Sequence, residues 1–249
     1  MKQIIPILII ILLIITGKVS AQISIPSPRI EYGVSQEVIR YAVSGEDSAL
    51  GSLAGRSGSG QVWDMTNLEF QNLGVRKTDY LDGKALSGIS DYNNVSFIIS
   101  ESYADTMKFI LFILTDSTLQ TIGELSNQKD SSTFMDVVYD PPITSAVFPL
   151  KYGAERKFNS AVYFGDFNFK LQFHFIVDAW GEIVTPLGRE EVLRIKLAGD
   201  GEFAGSPISV NNYLFVTAAH VVIPVAEIQE IVYSGVSTYS ATYRKFEEK

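Results

Sequence analysis

The chain contains no cysteine, and this single absence excludes several kinds of chemistry. Cysteine nucleophiles, thiolate zinc sites and iron–sulfur clusters all need the thiolate that the chain lacks. A lipid anchor on a cysteine at the mature N-terminus is excluded for the same reason. A domain without disulfides depends on its hydrophobic core, and 46% of these residues are hydrophobic.

Histidine is nearly as scarce, since the chain has only His174 and His220. They are too far apart in sequence for the paired spacing of a zinc-binding helix, so no metal site is predicted. The sequence also lacks a P-loop, a dinucleotide fingerprint and the GxSxG elbow of α/β-hydrolases. We therefore predict no cofactor and no catalytic residue from motifs.

Basic residues are outnumbered, because 20 Lys and Arg stand against 28 Asp and Glu for a formal net charge of −8. A surface with this balance repels phosphate backbones, so we expect no nucleic-acid partner. Carboxylates are the remaining catalytic groups, and two of them across a cleft would suit glycoside hydrolysis. The candidates for such a pair are Asp64, Asp166, Asp178, Glu190 and Glu191.

The N-terminus carries the clearest signal in the chain. A lysine at position 2 precedes an apolar run over residues 4–15, and Val19-Ser20-Ala21 supplies the small residues of a cleavage site. This pattern predicts a signal peptide over residues 1–21, because the run is too short to span a bilayer. The mature protein would begin at Gln22 and act in the periplasm, at the cell surface or outside the cell.

The remainder, residues 22–249, is predicted to be a single all-β domain. Its β-branched and aromatic stretches are separated by Gly, Asn, Asp and Pro clusters, which favours an antiparallel β-sandwich-like fold, a jelly roll or a relative of it. A β-barrel is the alternative. Residues 140–143, around Asp140-Pro141-Pro142, are a candidate subdomain boundary. Residues 51–60 are predicted to form a flexible loop, and short helices are considered around residues 117–126 and 224–231.

The most regular strand pattern covers residues 163–177. Aromatic and aliphatic residues occupy most odd positions and polar residues most even positions. Such a period of two predicts one buried and one solvent-facing side, with Phe173 in the core and Lys170 in solvent. A strand of this length suits a large sandwich or the wall of a barrel.

A hairpin is expected to follow, with its turn near Pro186-Leu187-Gly188 and its second strand over residues 192–197. The apolar residues fall on one side if Phe175 pairs with Leu197 and Val177 with Ile195. Continued further, the same register pairs Ala179 with Leu193 and Trp180 with Val192. It also places Asp178 opposite Arg194, which predicts a cross-strand ion pair.

Four residues are candidates for a ligand-binding site: Trp180, Asp178, Arg194 and Trp63. In the functional interpretation, the indole rings stack on sugars and Asp178 acts as an acid or a base. In the structural interpretation, Asp178 and Arg194 form an ion pair, and the tryptophans pack in the core with their polar tips satisfied. Trp180 is the stronger of the two tryptophan candidates, because the predicted register places it on the same side of the strand as Asp178 and Arg194.

Two stretches resemble segments of uncharacterised secreted β-rich proteins of the Bacteroidota, which often carry a type IX secretion sorting module. The first is Asp178-Ala179-Trp180-Gly181 with Pro186-Leu187-Gly188 and Val192-Leu193-Arg194-Ile195-Lys196. The second is Gly60-Gln61-Val62-Trp63-Asp64-Met65-Thr66-Asn67-Leu68. The resemblance implies an exported β-rich protein and implies no activity.

We therefore expect an exported, non-enzymatic binding or structural protein of the cell envelope or surface. Its partner would be polysaccharide or another envelope protein. The alternatives are a carbohydrate-active hydrolase that uses two carboxylates and a small outer-membrane β-barrel, which the long alternating strand would suit.

Overall fold

The computed structural model describes residues 23–86, 94–103, 106–128 and 135–247, and the predicted signal peptide lies outside them. Strands dominate this part of the chain. They are β1 (Ser24–Ile25), β2 (Ser35–Ser44), β3 (Gly58–Asp64), β4 (Glu69–Asp82), β5 (Phe97–Tyr103), β6 (Thr106–Leu114), β7 (Thr118–Gln128), β8 (Met135–Val147), β9 (Leu150–Lys151), β10 (Glu155–Phe164), β11 (Phe167–Thr185), β12 (Gly188–Phe203), β13 (Ser206–Val216), β14 (Ala226–Tyr233) and β15 (Val236–Phe246). The helix α1 spans Asp47–Gly55, and a 3₁₀ turn spans Gly83–Leu86.

Twelve of these strands form a closed antiparallel barrel in the order β10-β8-β7-β6-β5-β4-β2-β15-β14-β13-β12-β11. Strands that follow one another in the barrel pair throughout, including β10 with β8 and with β11, and the pairing of β15 with β2 joins the last barrel strand to the first. The predicted all-β antiparallel fold is confirmed, and the architecture is the barrel that the sequence analysis kept as an alternative. Closing the sheet leaves few unpaired strand edges.

Two short pairings complete the sheets. The strand β3 runs parallel to β11 and covers the edge of β11 over Ala179–Val184, beyond the part that pairs with β10. The strands β1 and β9 form a separate two-stranded sheet. Among the described residues, no helix is both long and apolar enough to cross a membrane.

The alternating pattern around Phe173 produces the predicted two faces. Leu171, Phe173, Phe175 and Val177 are buried, whereas Lys170 is exposed. The prediction of one continuous strand over residues 163–177 is wrong, because a turn at Gly165-Asp166 divides it into β10 and β11. Gly165 has a φ of +55°, a left-handed conformation that glycine adopts without a steric penalty.

The predicted hairpin register holds up to Val177 and fails beyond it. Phe175 pairs with Leu197 and Val177 with Ile195, as expected. A bulge between Val177 and Ala179 then shifts the pairing by one residue, so Ala179 lies opposite Arg194 and Trp180 opposite Leu193. Because one extra residue moves every later side chain to the other face, Trp180 no longer shares a side with Arg194.

One apolar core joins opposite walls of the barrel. It contains Phe97 from β5 and Phe175 from β11, which are far apart in the strand order. Segments outside the barrel strands add Ile25 from β1 and Val221 from the connection between β13 and β14. Opposed apolar walls that share a core are the feature that the sandwich-like expectation describes.

A second apolar cluster lies beneath α1. Leu50, Leu53 and Ala54 of the helix are buried with Phe215 and Ile228 of the strands beneath it. The prediction of a loop over residues 51–60 is therefore wrong at its start. Gly51 permits close packing here, since a Cβ at this position would lie 3.2 Å from the hydroxyl oxygen of Tyr239.

Two segments considered as short helices are strands in the structure. Residues 117–126 fall largely in β7, and residues 224–231 fall largely in β14. The candidate boundary at residues 140–143 lies inside β8, where the chain bulges between its pairings of Val138 with Gly123 and of Ile143 with Thr121. Both β7 and β14 contribute side chains to the chamber described below.

Candidate functional site

The barrel encloses a chamber of about 520 Å³. Its lining residues come from nine barrel strands, namely β2, β5, β6, β7, β8, β12, β13, β14 and β15, and from the connection that precedes β14. This size falls within the range of small-molecule sites in proteins. Ser240 lines the chamber and is exposed, so the chamber admits solvent.

Apolar side chains form part of the chamber surface. Ile110 and Phe112 stand on β6, Ile143 on β8, and Leu197 and Leu214 on β12 and β13. Each belongs to a strand whose alternation points these side chains inward. The chamber therefore has an apolar surface that could pack against a hydrocarbon or an aromatic ring.

Ionisable side chains form the other part, and they follow the strand order. Seven neighbouring strands, from β7 through β6, β5, β4, β2 and β15 to β14, each contribute one inward-facing charged residue. We call this set the charged band; in strand order it comprises Glu124, Lys108, Glu101, Arg76, Arg40, Arg244 and Glu227. Six of these residues line the chamber, and Arg76 lies behind them, paired with Glu101.

Three ion pairs join neighbours within the charged band. Lys108 Nζ lies 2.5 Å from Glu124 Oε2, and Arg76 Nη1 lies 3.3 Å from Glu101 Oε2. Arg244 Nη2 lies 3.5 Å from Glu227 Oε2, and its Nη1 donates to the Pro224 carbonyl at 3.1 Å. Every carboxylate of the charged band is thus matched to one cation.

Arg40 stands in the middle of the charged band without such a partner. It pairs across the strands with Arg244, so two like charges face each other directly, an arrangement that is destabilising. Within the described part of the chain Arg40 forms no ion pair, and its buried Nε has no hydrogen-bond partner. Burial lowers the pKa of Arg40, and the charges of Arg76 and Arg244 lower this pKa further.

Other polar atoms of the same wall also lack protein partners. Arg76 Nε and Thr242 Oγ1 are buried without a hydrogen bond in the described residues. Thr242 lines the chamber two residues before Arg244 on β15. Buried polar atoms are usually satisfied, so a group of three unsatisfied atoms on adjacent strands requires an explanation.

The balance of charge in the charged band is opposite in sign to that of the whole chain. The charged band holds four cations and three carboxylates and so has a net charge of +1, whereas the whole chain has a net charge of −8. Tyr139 also lines the chamber, and burial raises the pKa of its phenol well above the ordinary value. This phenol therefore stays protonated and can donate a hydrogen bond at neutral pH.

Three of the four site residues suggested by the sequence meet elsewhere, on the outer side of the wall beneath α1. The predicted ion pair is present: Arg194 Nε lies 2.9 Å from Asp178 Oδ1, and Nη2 lies 2.7 Å from Oδ2. The Arg194 guanidinium lies over the ring of Trp63, 5.5 Å from its centroid. Trp63 has no exposed surface and packs edge-on against Phe215.

These contacts support the structural interpretation of Asp178 and Arg194 and the core packing of Trp63, but the polar tip of Trp63 is not satisfied, because its buried Nε1 has no hydrogen-bond partner among the described residues. Arg194 is only 1% exposed, and its Nη1 donates to the carbonyls of Leu53 and Ala54, at 3.3 and 2.8 Å. It thus helps to satisfy the carbonyl groups at the end of α1, where the Leu53 carbonyl also accepts from the Arg56 backbone N–H. Trp180 does not join the group, because the bulge turns it toward the core inside the barrel.

Two of the candidate carboxylates and both histidines have separate partners in the structure. Asp64 accepts hydrogen bonds from Thr66, and Glu190 accepts one from the Tyr243 hydroxyl. His174 lies 3.6 Å from Glu155 on β10, whereas His220 stacks on Phe246. In the described ranges, no group of three or more His, Cys, Asp or Glu residues is placed to hold a metal ion.

The charged band was not predicted from the sequence, although the sequence contains a signal for it. Lys108 shares strand parity with Ile110 and Phe112, and Glu101 shares parity with Phe97 and Ile99. A charge on the apolar side of a strand marks either a paired buried ion or a polar site. Comparisons of the chain with protein-family models, with curated proteins and with solved structures gave no match.

Proposed function

We propose that this protein is an exported, non-enzymatic binding protein that holds a small molecule in the barrel chamber. The observation that carries the proposal is the chamber itself, enclosed by the barrel wall and lined by both apolar and ionisable side chains. Such a mixture of apolar surface with a few placed polar groups is typical of small-molecule sites. A chamber of this size favours a small ligand over a polysaccharide chain.

Export is supported by the sequence. The charged start, the apolar run over residues 4–15 and Val19-Ser20-Ala21 together form a signal-peptide pattern. The resemblance to secreted Bacteroidota proteins agrees with a role in the envelope or at the surface. Intact-mass measurement of the exported protein tests this: we expect a chain that starts at Gln22, and retention of residues 1–21 would contradict it.

Polar side chains on the outer surface of the barrel support a barrel wall that faces water and not lipid. Lys157 on β10 and Lys170 and Gln172 on β11 are exposed on the outside of the barrel. Charged side chains on a lipid-facing wall are costly at the depth of the bilayer. Extraction from cells tests the membrane-barrel alternative, since we expect recovery without detergent, and recovery only with detergent would favour that alternative.

The carboxylates support binding rather than hydrolysis of a glycan. Each carboxylate of the charged band is held by a cation, and Asp178 is held by Arg194. Glycoside hydrolysis needs one carboxyl group to act as an acid and a second to act as a base or nucleophile. A glycan array with product analysis separates the alternatives, because cleavage of any bound glycan would contradict the proposal.

A chamber-filling variant tests binding itself. The probe is N-phenylnaphthylamine, a neutral apolar dye whose fluorescence rises in apolar surroundings. We expect saturable binding with one site per chain. Ser240→Trp fills the chamber from an exposed inward position, so it should weaken dye binding by at least about tenfold, since burial of the probe is lost.

Ser237→Trp is the matched control for this variant. Ser237 lies on the same strand three residues earlier, points outward and is exposed. It should leave dye binding unchanged. Equal binding by the two variants, or no binding by the unaltered protein, would overturn the proposed function.

A further inference from the structure

The inference concerns the arginine trio, which we define as Arg76, Arg40 and Arg244 of three neighbouring strands, β4, β2 and β15. Within the trio, Arg76 and Arg244 have Glu101 and Glu227 as partners on their outer sides. The central Arg40 has a cation on either side and forms no ion pair in the described residues. Counted together with Glu101 and Glu227, the trio therefore carries one net positive charge.

The backbone also presents Arg40 in a particular way. The pairing of β2 with β4 is interrupted by a bulge between Ile39 and Tyr41, at Arg40 itself. On its other side, Arg40 is in direct register with Arg244. Bulges redirect side chains and are common beside functional sites.

The chemistry of the guanidinium group identifies the kind of ligand. Its planar fork of N–H donors matches two oxygens of one carboxylate or of a similar oxyanion. The unpaired Nε atoms of Arg40 and Arg76 and the Oγ1 of Thr242 add further polar atoms on the same wall. An oxyanion here would neutralise the extra charge and separate two arginines that otherwise repel each other.

We propose that the chamber binds an organic acid, with its carboxylate at Arg40 and Arg244 of the arginine trio and its apolar part on the opposite apolar surface. This inference rests on the proposed function, because it names the ligand class of the same chamber. The apolar part would contact Ile110, Ile143, Leu197 and Leu214, which line the chamber with Arg40.

The test compares octanoate with octanol, which differ in charge at the head group and share a similar apolar tail. Displacement of N-phenylnaphthylamine measures the affinity of each for the unaltered full-length protein. We expect octanoate to bind at least about tenfold more tightly than octanol, as a charge-assisted hydrogen bond predicts. Equal affinities would overturn the inference while leaving the proposed function in place.

Arg40→Met isolates the contribution of the trio. The variant keeps the apolar stem of the side chain and removes its charge. We expect its affinity for octanoate to fall by at least about tenfold and its preference for octanoate over octanol to be lost. A variant that still prefers octanoate as strongly as the unaltered protein would overturn the inference.

Arg189→Gln is the matched control, because Arg189 is an exposed arginine outside the charged band. Its Nη1 lies 2.8 Å from Glu182 Oε2. It should bind octanoate like the unaltered protein. Inorganic phosphate forms a further arm of the experiment. Displacement of octanoate by phosphate at equal concentration would show a site for a free inorganic anion and would contradict the organic-acid class.

Discussion

Two arginines of this barrel, Arg194 and Arg40, occupy opposite sides of the wall and have opposite surroundings. Arg194 is 1% exposed, bonded to both oxygens of Asp178 and to two carbonyls of α1. Arg40 faces the chamber, lies opposite Arg244 and has a buried Nε without a partner. Saturated bonding indicates a structural role for Arg194, and the unmatched charge indicates a binding role for Arg40.

The largest effect is expected from Arg194→Ala. Removal of this side chain leaves Asp178 as an uncompensated charge on the wall and takes from the Ala54 carbonyl of α1 the donor that Arg194 supplies. Breaking a buried pair in this way costs about 3–5 kcal/mol. Urea denaturation should show this loss in the free energy of unfolding.

The double variant Arg194→Met with Asp178→Leu sharpens that result. It removes both charges and keeps apolar volume, so it should be more stable than Arg194→Ala alone. If the single and double variants were equally destabilised, the buried charge of Asp178 would not be the cause.

Phe173→Ala tests the assignment of inner and outer faces in the barrel wall. Phe173 is 8% exposed and stacks on Phe158, with ring centroids 5.3 Å apart. Truncation should cost about 3 kcal/mol through lost burial and a remaining cavity. Lys170→Ala, on the outer face of the same strand, should change stability by no more than about 0.5 kcal/mol. Comparable losses in urea melts of the two variants would contradict the assignment of faces.

A smaller effect of opposite sign is expected from Arg40→Met in the protein without ligand. The substitution relieves the repulsion between directly opposed arginines, so the free energy of unfolding should rise by up to about 1 kcal/mol. Arg244→Met relieves the same repulsion but leaves Glu227 without its cation, so it should not stabilise the protein. A clear loss of stability in Arg40→Met, measured by thermal unfolding, would assign Arg40 the structural role of Arg194.

The smallest effect concerns His220, in the segment next to the chamber. Its ring stacks on Phe246, and burial lowers its pKa in the folded protein. The unfolded chain therefore binds a proton more readily, so stability is fully present above the ordinary histidine pKa of about 6.5 and is lost as pH falls below it. His220→Gln should reduce this dependence, and identical pH profiles for the two proteins would contradict it.

The sequence predicted local β structure well where the alternation was clean. In β11 and β12, the positions of Phe175, Val177, Ile195 and Leu197 followed from keeping apolar residues on one side. The bulge at Asp178 was not visible in this pattern, because it reflects where Arg194 must lie to reach both Asp178 and α1. A strand register inferred from alternation alone does not take such tertiary contacts into account.

The helix α1 was missed for a related physical reason. Its sequence contains Gly51, Ser52 and Gly55, which have low helix propensity. The helix is stabilised by contacts that lie elsewhere in the chain, through burial of Leu50 and Leu53 and through donation from Arg194. Tertiary packing overrides local propensity in such a segment.

Prediction of the chamber would have required knowledge of the strand order. The residues of the charged band are spread along the chain from Arg40 to Arg244, and only the closed barrel brings them into one row. The sequence predicted an antiparallel protein with charges on some inward positions, yet it did not specify which strands are neighbours. The odd or even position of a residue in a strand indicates which face of the sheet it occupies, but it does not indicate which strand lies next to it.

The pairing of β2 with β15 gives the arginine trio a further property. These are the first and last of the twelve barrel strands along the chain, so the ring is completed only when the two ends of the barrel sequence meet. Contacts of such long sequence separation slow folding. Arg40 and Arg244 stand on the two sides of that joint, and a bound anion between them would stabilise the completed ring over any open form. Ligand occupancy and the final step of assembly would then be coupled at one place, and faster refolding or slower unfolding with octanoate present is the kinetic sign to measure.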